Sequence, residues 1–166
     1  MAKLYIPIFN RNYDGCDGYY TNAALCSNLG DAKKYLYNEY LNILKEFGED
    51  YVWNDGLFSD NDFRLTDDRY NIYGWIEEVE YDGEQIPEYL FVIISIELNK
   101  ESDEVVKVEV ADTFDKGMTI LNRITADATH TYGDMWKWHS TDMTIDVSTE
   151  NENGSFNTWL QKHKTK

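Results

Sequence analysis

Residues 70–98 read YNIYGWIEEVEYDGEQIPEYLFVIISIEL, and two different hydrophobic patterns meet in them. The first half alternates, which predicts a strand whose inner side carries Tyr73, Trp75, Val79 and Tyr81. Its outer side is then predicted to carry Gly74, Ile76, Glu78, Glu80 and Asp82. The run from Tyr89 to Leu98 is apolar at nearly every position, which is typical of a strand buried on both faces. Asp82-Gly83 marks a turn between the two runs. We therefore predict strands over 70–81 and 88–98, and alternation over 104–111 predicts a third that completes an antiparallel meander.

Outside this meander, apolar residues at helical spacing predict helices over 30–47 and 113–129, with Gly48 in position to end the first. Further strands are predicted over 3–9, 50–53, 63–65 and 143–147, a C-terminal helix over 155–163, and a long loop over 10–28. No internal repeat is visible. The predicted fold class is α+β, a mainly antiparallel sheet with helices packed on one face, and the 166 residues are predicted to form a single globular domain.

The composition is acidic but typical of a folded chain. There are 31 Asp and Glu against 15 Lys and Arg, a formal net charge of −16, while 42% of the residues are hydrophobic and 15% are aromatic. Disordered acidic segments lack such an aromatic content. A negative surface repels nucleic-acid phosphates and anionic lipids and attracts basic proteins. The sequence therefore predicts a protein partner, without direct nucleic-acid or membrane binding.

Nothing in the chain has the pattern of a signal peptide or the roughly 18 apolar residues of a membrane-spanning helix, so we expect a cytoplasmic protein. The only cysteines, Cys16 and Cys26, form no CxxC motif and predict neither a disulfide framework nor a zinc site.

The negative charge is concentrated in one part of the sequence. Residues 46–112 contain 20 acids and 4 bases, whereas residues 1–45 carry a net charge of +1 and residues 113–166 a net charge of −1. An acidic bias for solubility alone is expected to spread along the chain. The alternative is that several solvent-facing strand positions are acidic without a shared role.

Motifs for catalysis or cofactor binding are missing from the sequence, which therefore predicts no enzyme, metal or cofactor. No GxSxG nucleophile motif or GxxxxGK[ST] nucleotide-binding motif occurs. An EF-hand loop starting at Asp60 fails because Arg64 and Leu65 stand where an oxygen ligand and a glycine are needed. Two unusual metal sites stay open, one at the acids of 60–68 and one formed by His130, Asp134, His139 and Asp142. The aromatic group Tyr132, Trp136 and Trp138 is interpreted either as core or as a contact for another protein.

Rows of carboxylates on a rigid sheet suggest a function for the acidic segment. Such rows can occupy the Lys- and Arg-lined cleft of a nucleic-acid-binding protein and act as a competitive mimic. The partner-binding residues predicted on this basis, which we call the acidic set, are Asp60, Asp62, Asp67, Asp68, Glu77, Glu78, Glu80, Asp82, Glu84 and Glu88.

In size, acidity and expected location the chain is similar to phage and mobile-element proteins that inhibit restriction enzymes and CRISPR nucleases, although no sequence motif carries this resemblance. It implies an inhibitor of a basic nuclease. The alternatives are an immunity protein that neutralises a toxin, an interaction domain without mimicry, and a metal-dependent enzyme.

Overall fold

The computed structural model describes residues 1–13, 20–101, 103–134, 136–141 and 144–166. Its contacts divide the chain into two compact units, one comprising residues 1–86 with Lys166 and the other comprising residues 87–165. Among the described residues, each unit consists of one five-stranded antiparallel sheet and one helix.

In the first unit, a long N-terminal strand pairs with a long strand that lies some seventy residues later in the sequence. The strand order across the sheet is β2-β1-β5-β4-β3. The elements are β1 (Ala2–Tyr13), β2 (Tyr20–Ala23), α1 (Leu29–Phe47), β3 (Asp55–Phe58), β4 (Asp62–Thr66) and β5 (Tyr70–Tyr81).

Helix α1 covers one face of this sheet because its apolar residues recur at helical spacing. Its buried residues Ala32, Leu36 and Ile43 lie on that side, and Leu36 and Ile43 belong to a core cluster with sheet residues such as Ile72. Burying one such side chain fully contributes about 1.5–3 kcal/mol. The Asn28 side chain caps the start by accepting a hydrogen bond from the Asp31 amide at 2.9 Å.

The second unit is built on the apolar strand identified in the sequence. Its elements are β6 (Tyr89–Asn99), β7 (Glu104–Ala111), α2 (Phe114–Tyr132), β8 (Lys137–Ser140), β9 (Thr144–Asn151) and β10 (Gly154–Lys164), in the sheet order β7-β6-β10-β9-β8. The core between α2 and the sheet contains Ile93, Leu121, Val147 and Leu160.

The two units share one topology. In the described part of each, two strands precede a helix of 19 residues and three strands follow it, and the two sheet orders correspond strand for strand. Counted from the N-caps Asn28 and Thr113, the buried positions match pairwise: Ala32 with Gly117, Leu36 with Leu121, and Ile43 with Ala128. Only one of these three pairs is identical, so the correspondence at these positions is one of structure and not of residue identity.

The α+β class and the main elements are confirmed. The predicted helices over 30–47 and 113–129 correspond to α1 and α2, and the predicted strands over 70–81, 88–98 and 104–111 correspond to β5, β6 and β7. The pairing within the predicted meander differs, because β5 pairs with β1 and β4 whereas β6 pairs with β7 and β10. These partners occupy the hydrogen-bonding edges that a β5–β6 hairpin would need.

The predicted C-terminal helix over 155–163 is wrong, because this segment forms strand β10. Phe156 and Leu160 share one face with Thr158, while Trp159 points to the other face, and all four are buried. A strand that is buried on both faces loses the alternation of polar and apolar residues that would distinguish it from a helix.

The predicted loop over 10–28 also differs, since β1 extends to Tyr13 and β2 lies at Tyr20–Ala23, while Cys16 lies outside the described residues. The strand predicted over 50–53 does not form, since residue 50 is in a turn and 51–53 have no regular secondary structure, and the short strands β3 and β8 were not predicted. In the described part of the chain, neither helix is long and apolar enough to cross a membrane.

Candidate functional site

Negative charge is present in both units. Residues 1–86 hold 17 acids and 7 bases, and residues 87–165 hold 14 acids and 7 bases. The acidic segment 46–112 therefore begins in the last turn of α1, crosses the boundary between the units and ends just after β7. Nine members of the acidic set belong to the first unit, and Glu88 belongs to the second.

On β5, Glu78 and Glu80 lie on the same face of the sheet that α1 covers nearer the start of the strand. Both are exposed, as predicted from the alternation. The assignment of the buried side was wrong, because Ile72 and Gly74 on this same face are the buried residues, whereas Trp75 on the opposite face is only half-buried. Helix α1 covers only the first half of β5, so the same face is apolar at one end and acidic at the other.

A basic residue far away in the sequence reaches this acidic row. Lys3 lies opposite Glu80 in the register of β1 and β5, and its Nζ donates to Glu78 Oε1 at 2.5 Å. The hydrogen bond and the charge of Glu78 raise the pKa of Lys3 above its usual range. Among the described residues, Glu80 and Asp82 have no ion-pair partner closer than 4.0 Å. Of the two carboxylates of this row that lie within β5, Glu78 is therefore neutralised by Lys3 and Glu80 is not.

The acids of 60–68 do not extend this row. Asp62 lies opposite Trp75 in the pairing of β4 and β5, which places it on the same face as Glu77 and on the other face from Glu78. Its Oδ1 accepts a hydrogen bond from the Ser59 hydroxyl at 2.6 Å, and Glu77 Oε1 accepts one from Trp75 Nε1 at 2.8 Å. The acidic set is therefore divided between both faces of the first sheet.

Asp67 has a structural role in the turn between β4 and β5. Its Oδ1 accepts hydrogen bonds from the backbone amides of Arg69 and Tyr70 at 2.7 and 2.8 Å, and its Oδ2 accepts one from the Tyr51 hydroxyl. The Tyr51 hydrogen bond, aided by the two amides, lowers the pKa of Asp67, and the same hydrogen bond raises the pKa of Tyr51 to about 12. Because both of its carboxylate oxygens are engaged, Asp67 is poorly placed to bind a partner.

The remaining members of the acidic set differ in their surroundings. Asp60 lies 4.0 Å from Lys33 Nζ, Asp68 Oδ1 accepts from Asn54 Nδ2 at 3.1 Å, and Glu88 pairs with Lys164 at 3.2 Å. Glu84 is exposed in the connection after β5. The least engaged members are therefore Glu80, Asp82 and Glu84, which follow one another along the end of β5 and the turn beyond it.

Ion pairs within the described residues engage only a minority of the acids that the structure describes. Besides Asp60, Glu78 and Glu88, the paired acids include Glu46 with Arg11, Glu109 with Arg123 and Asp112 with Lys116. Arg123 Nη2 donates to both carboxylate oxygens of Glu109, at 2.7 and 2.6 Å. The distribution of charge along the sequence could not identify the two arginine pairs, because Arg11 and Glu46 are 35 residues apart and Glu109 and Arg123 are 14 apart.

The histidine region does not form a metal site among the described residues, where no group of three His, Cys, Asp or Glu side chains is suitably placed. His130 is in the last turn of α2, and His139 lies opposite Asp146 on β8 and β9. Burial raises the pKa of Asp146, and a hydrogen bond from Trp159 partly offsets this rise. Asp142 lies outside the described residues.

The aromatic group predicted as core or contact surface is divided between the two roles. Tyr132 is 3% exposed, and Trp136 packs against Phe156 while its Nε1 donates to Thr129 Oγ1 at 3.0 Å. Trp138 is 52% exposed on the edge strand β8. Of these three aromatic residues, only Trp138 is exposed enough to contact another protein.

Comparison with protein-family models, with curated proteins and with solved structures found no match to this chain.

Proposed function

We propose that this protein is an acidic inhibitor that binds a basic nucleic-acid-binding protein, such as a restriction or CRISPR nuclease, in place of its nucleic acid. The observation that supports this proposal is the excess of carboxylates without basic partners among the described residues of both units, within a net charge of −16. Each unit supports these charges on a hydrogen-bonded sheet, and the core of the first unit is rich in aromatic residues. The proposal includes no catalytic activity and no cofactor, and it places the protein in the cytoplasm with its partner.

The acidic end of β5 is the best candidate for the contact surface. Glu78 and Glu80 are two residues apart on one face of a strand, which sets their backbone positions about 6.6 Å apart. Asp82 and Glu84 continue the negative charge into the turn. Carboxylates that the sheet already holds at this spacing can bind the Lys and Arg side chains of a nucleic-acid-binding cleft. An unfolded acidic tail would lose conformational entropy on binding the same cleft, and the rigid sheet avoids that cost.

A charge-reversal variant tests this surface. We expect Glu78→Lys, Glu80→Lys and Asp82→Lys together to abolish inhibition of DNA cleavage, because the row would then repel the basic cleft. These side chains are exposed, so the fold should be retained. The matched control is Glu101→Lys, Glu150→Lys and Glu152→Lys, which changes the net charge equally at exposed positions of the second unit. The measurement is cleavage protection by each protein across a panel of restriction and CRISPR nucleases.

Binding should also depend on salt. At about 0.1 M ionic strength, charges are screened beyond about 10 Å, so affinity for the nuclease should fall at least about tenfold between about 0.05 and 0.5 M NaCl. Equal losses in the two charge-reversal variants would show that net charge alone matters. Absence of protection against every nuclease tested would overturn the mimicry and favour an immunity protein or an interaction domain.

A further inference from the structure

The second unit contains a cleft at the seam between α2 and the β6–β7 edge of its sheet. It encloses about 140 Å³. Ser95, Phe156 and Ala128 form its buried floor, each less than 10% exposed, while Val105 at the rim is 45% exposed. This volume is well below the roughly 300–1,000 Å³ of pockets for drug-sized ligands and suits a single long side chain.

Two carboxylates line this cleft. Glu97 comes from β6 and Asp127 from α2, and neither forms an ion pair with a described residue. Asp127 is exposed at the rim, and Glu97 is half-buried. The C-terminal turn of α2 adds the partial negative charge of the helix dipole beside them. The electrostatic character of the cleft therefore favours a cation.

The position of Glu97 is set by a buried tyrosine. The Tyr132 hydroxyl donates to Glu97 Oε1 at 2.7 Å. Burial and this hydrogen bond raise the pKa of Tyr132 to about 12, so its hydroxyl keeps its proton at neutral pH and holds the carboxylate in place. Glu97 retains lone pairs for a second donor, because an ionised carboxylate can accept about four hydrogen bonds.

The walls between the charged groups are apolar. Ile124 and Ala128 on α2 face Val105 and Phe156 on the sheet. An arginine side chain has a matching construction, with an aliphatic stem that packs on apolar surface and a planar guanidinium that binds carboxylates through two donors and stacks on aromatic rings. Among the described residues that line the cleft, Lys107 is the one cation, and its exposed side chain on the edge strand β7 lies on the rim.

We propose that this cleft binds the side chain of an arginine presented by a protein partner, with the guanidinium at Glu97 and Asp127 and the stem against Ile124 and Phe156. The inference does not rest on the proposed function, because no member of the acidic set lines the cleft. It identifies a site of defined chemistry in the second unit, whereas the proposed inhibitory surface lies in the first.

The probe is the capped tripeptide Gly-Arg-Gly, titrated into ¹⁵N-labelled full-length protein and followed by NMR. We expect saturable shifts at the amides of Glu97, Val105, Ala128 and Tyr132. The same peptide with citrulline in place of arginine keeps the shape but lacks the positive charge, so we expect no saturation. Equal binding of the citrulline peptide would overturn the proposal.

Three substitutions separate a cation site from other sites. Glu97→Gln should weaken binding by about tenfold, since it removes a charge-assisted hydrogen bond while its amide oxygen can still accept from Tyr132. Asp127→Asn, at an exposed position, should weaken it about two- to fivefold. Lys107→Gln should tighten binding, because it removes a competing cation.

The matched control is Glu101→Gln, which removes one exposed carboxylate outside the cleft and should leave the affinity unchanged. Thermal unfolding of each variant verifies that the fold is intact. Weaker binding by Lys107→Gln would show that the cleft takes an anion or a zwitterion and would overturn the arginine assignment. Unchanged affinity in both Glu97→Gln and Asp127→Asn would show that the peptide binds elsewhere.

Discussion

Gly74 lets α1 approach the centre of β5. A methyl group at this position would lie 2.5 Å from Phe63 Cε1 and 2.7 Å from Leu36 Cδ1, distances that force neighbouring atoms to move. Alternation along residues 70–81 predicted that Gly74 would face outward with Glu78. It is instead buried beneath the helix, where the side chains of Phe63 and Leu36 fill the space above it. The prediction failed because a glycine has no side chain and so adds no hydrophobic signal to the pattern.

At this residue we predict that Gly74→Ala lowers the free energy of unfolding by about 1–3 kcal/mol, since overpacking displaces Leu36 or Phe63. Gly56→Ala is the matched control within the same sheet. Its added methyl would lie 3.5 Å from Leu65 Cδ2, an ordinary contact, so its stability should be unchanged or slightly higher. Urea unfolding measures both variants, and equal stability of the two would contradict this account of the helix–sheet contact.

At the scale of elements, the turn after β4 shows how an acidic side chain can determine strand register. The Asp67 amide donates to the Tyr70 carbonyl at 2.9 Å, and the Asp67 carboxylate accepts from the Arg69 and Tyr70 amides. This turn places Thr66 opposite Asn71 and so aligns β4 with β5. The sequence suggested a charged surface for this segment, but its main contribution is to the hairpin.

Asp67→Asn should therefore lower stability at pH 7 by weakening the hydrogen bonds of the turn. The folded protein lowers the pKa of Asp67 below its ordinary value of 3.8, so the carboxylate stabilises the fold above that pH. This contribution is lost as the pH falls through the lowered pKa, because the wild-type side chain is then neutral. The difference between wild type and variant, measured by urea unfolding, should accordingly shrink in strong acid.

The control for this turn is Asp68→Asn, because an asparagine oxygen can still accept the hydrogen bond from Asn54. It should have little effect at any pH. A stability difference for Asp67→Asn that stays constant down to about pH 2 would show that the charge of Asp67 does not contribute.

For the whole molecule, the net charge of −16 opposes folding through repulsion among like charges. We predict that raising NaCl from about 0.02 to 0.5 M at pH 7 increases the thermal unfolding midpoint, because salt screens this repulsion. Near the isoelectric point of about 4.4 the net charge is close to zero, so the same salt change should have little effect. Circular dichroism follows both transitions. A midpoint that is insensitive to salt at pH 7 would mean that the core and ion pairs offset the repulsion locally.

The helices and most strands were predictable because their signals are local. A stripe of apolar residues, an N-cap such as Asn28 and a terminating glycine such as Gly48 act within a few residues of one another. Strands β5, β6 and β7 were found in the same way, from alternation or from a continuous apolar run. The acidic character also follows from composition alone.

Strand pairing depended on contacts between distant parts of the chain. β1 and β5 meet across some seventy residues, and β10 is a central strand only because β6 and β9 flank it. The register then placed Glu78 and Asp62 on opposite faces and brought Lys3 to Glu78, so the single row of acids expected from the sequence became two groups.

The cleft at Glu97, Asp127 and Tyr132 likewise exists only after α2 packs on its sheet. Local periodicity carries no information on which distant edge a strand will pair with. For this reason the amino-acid order specifies the elements and the charge, whereas packing decides which charges lie together.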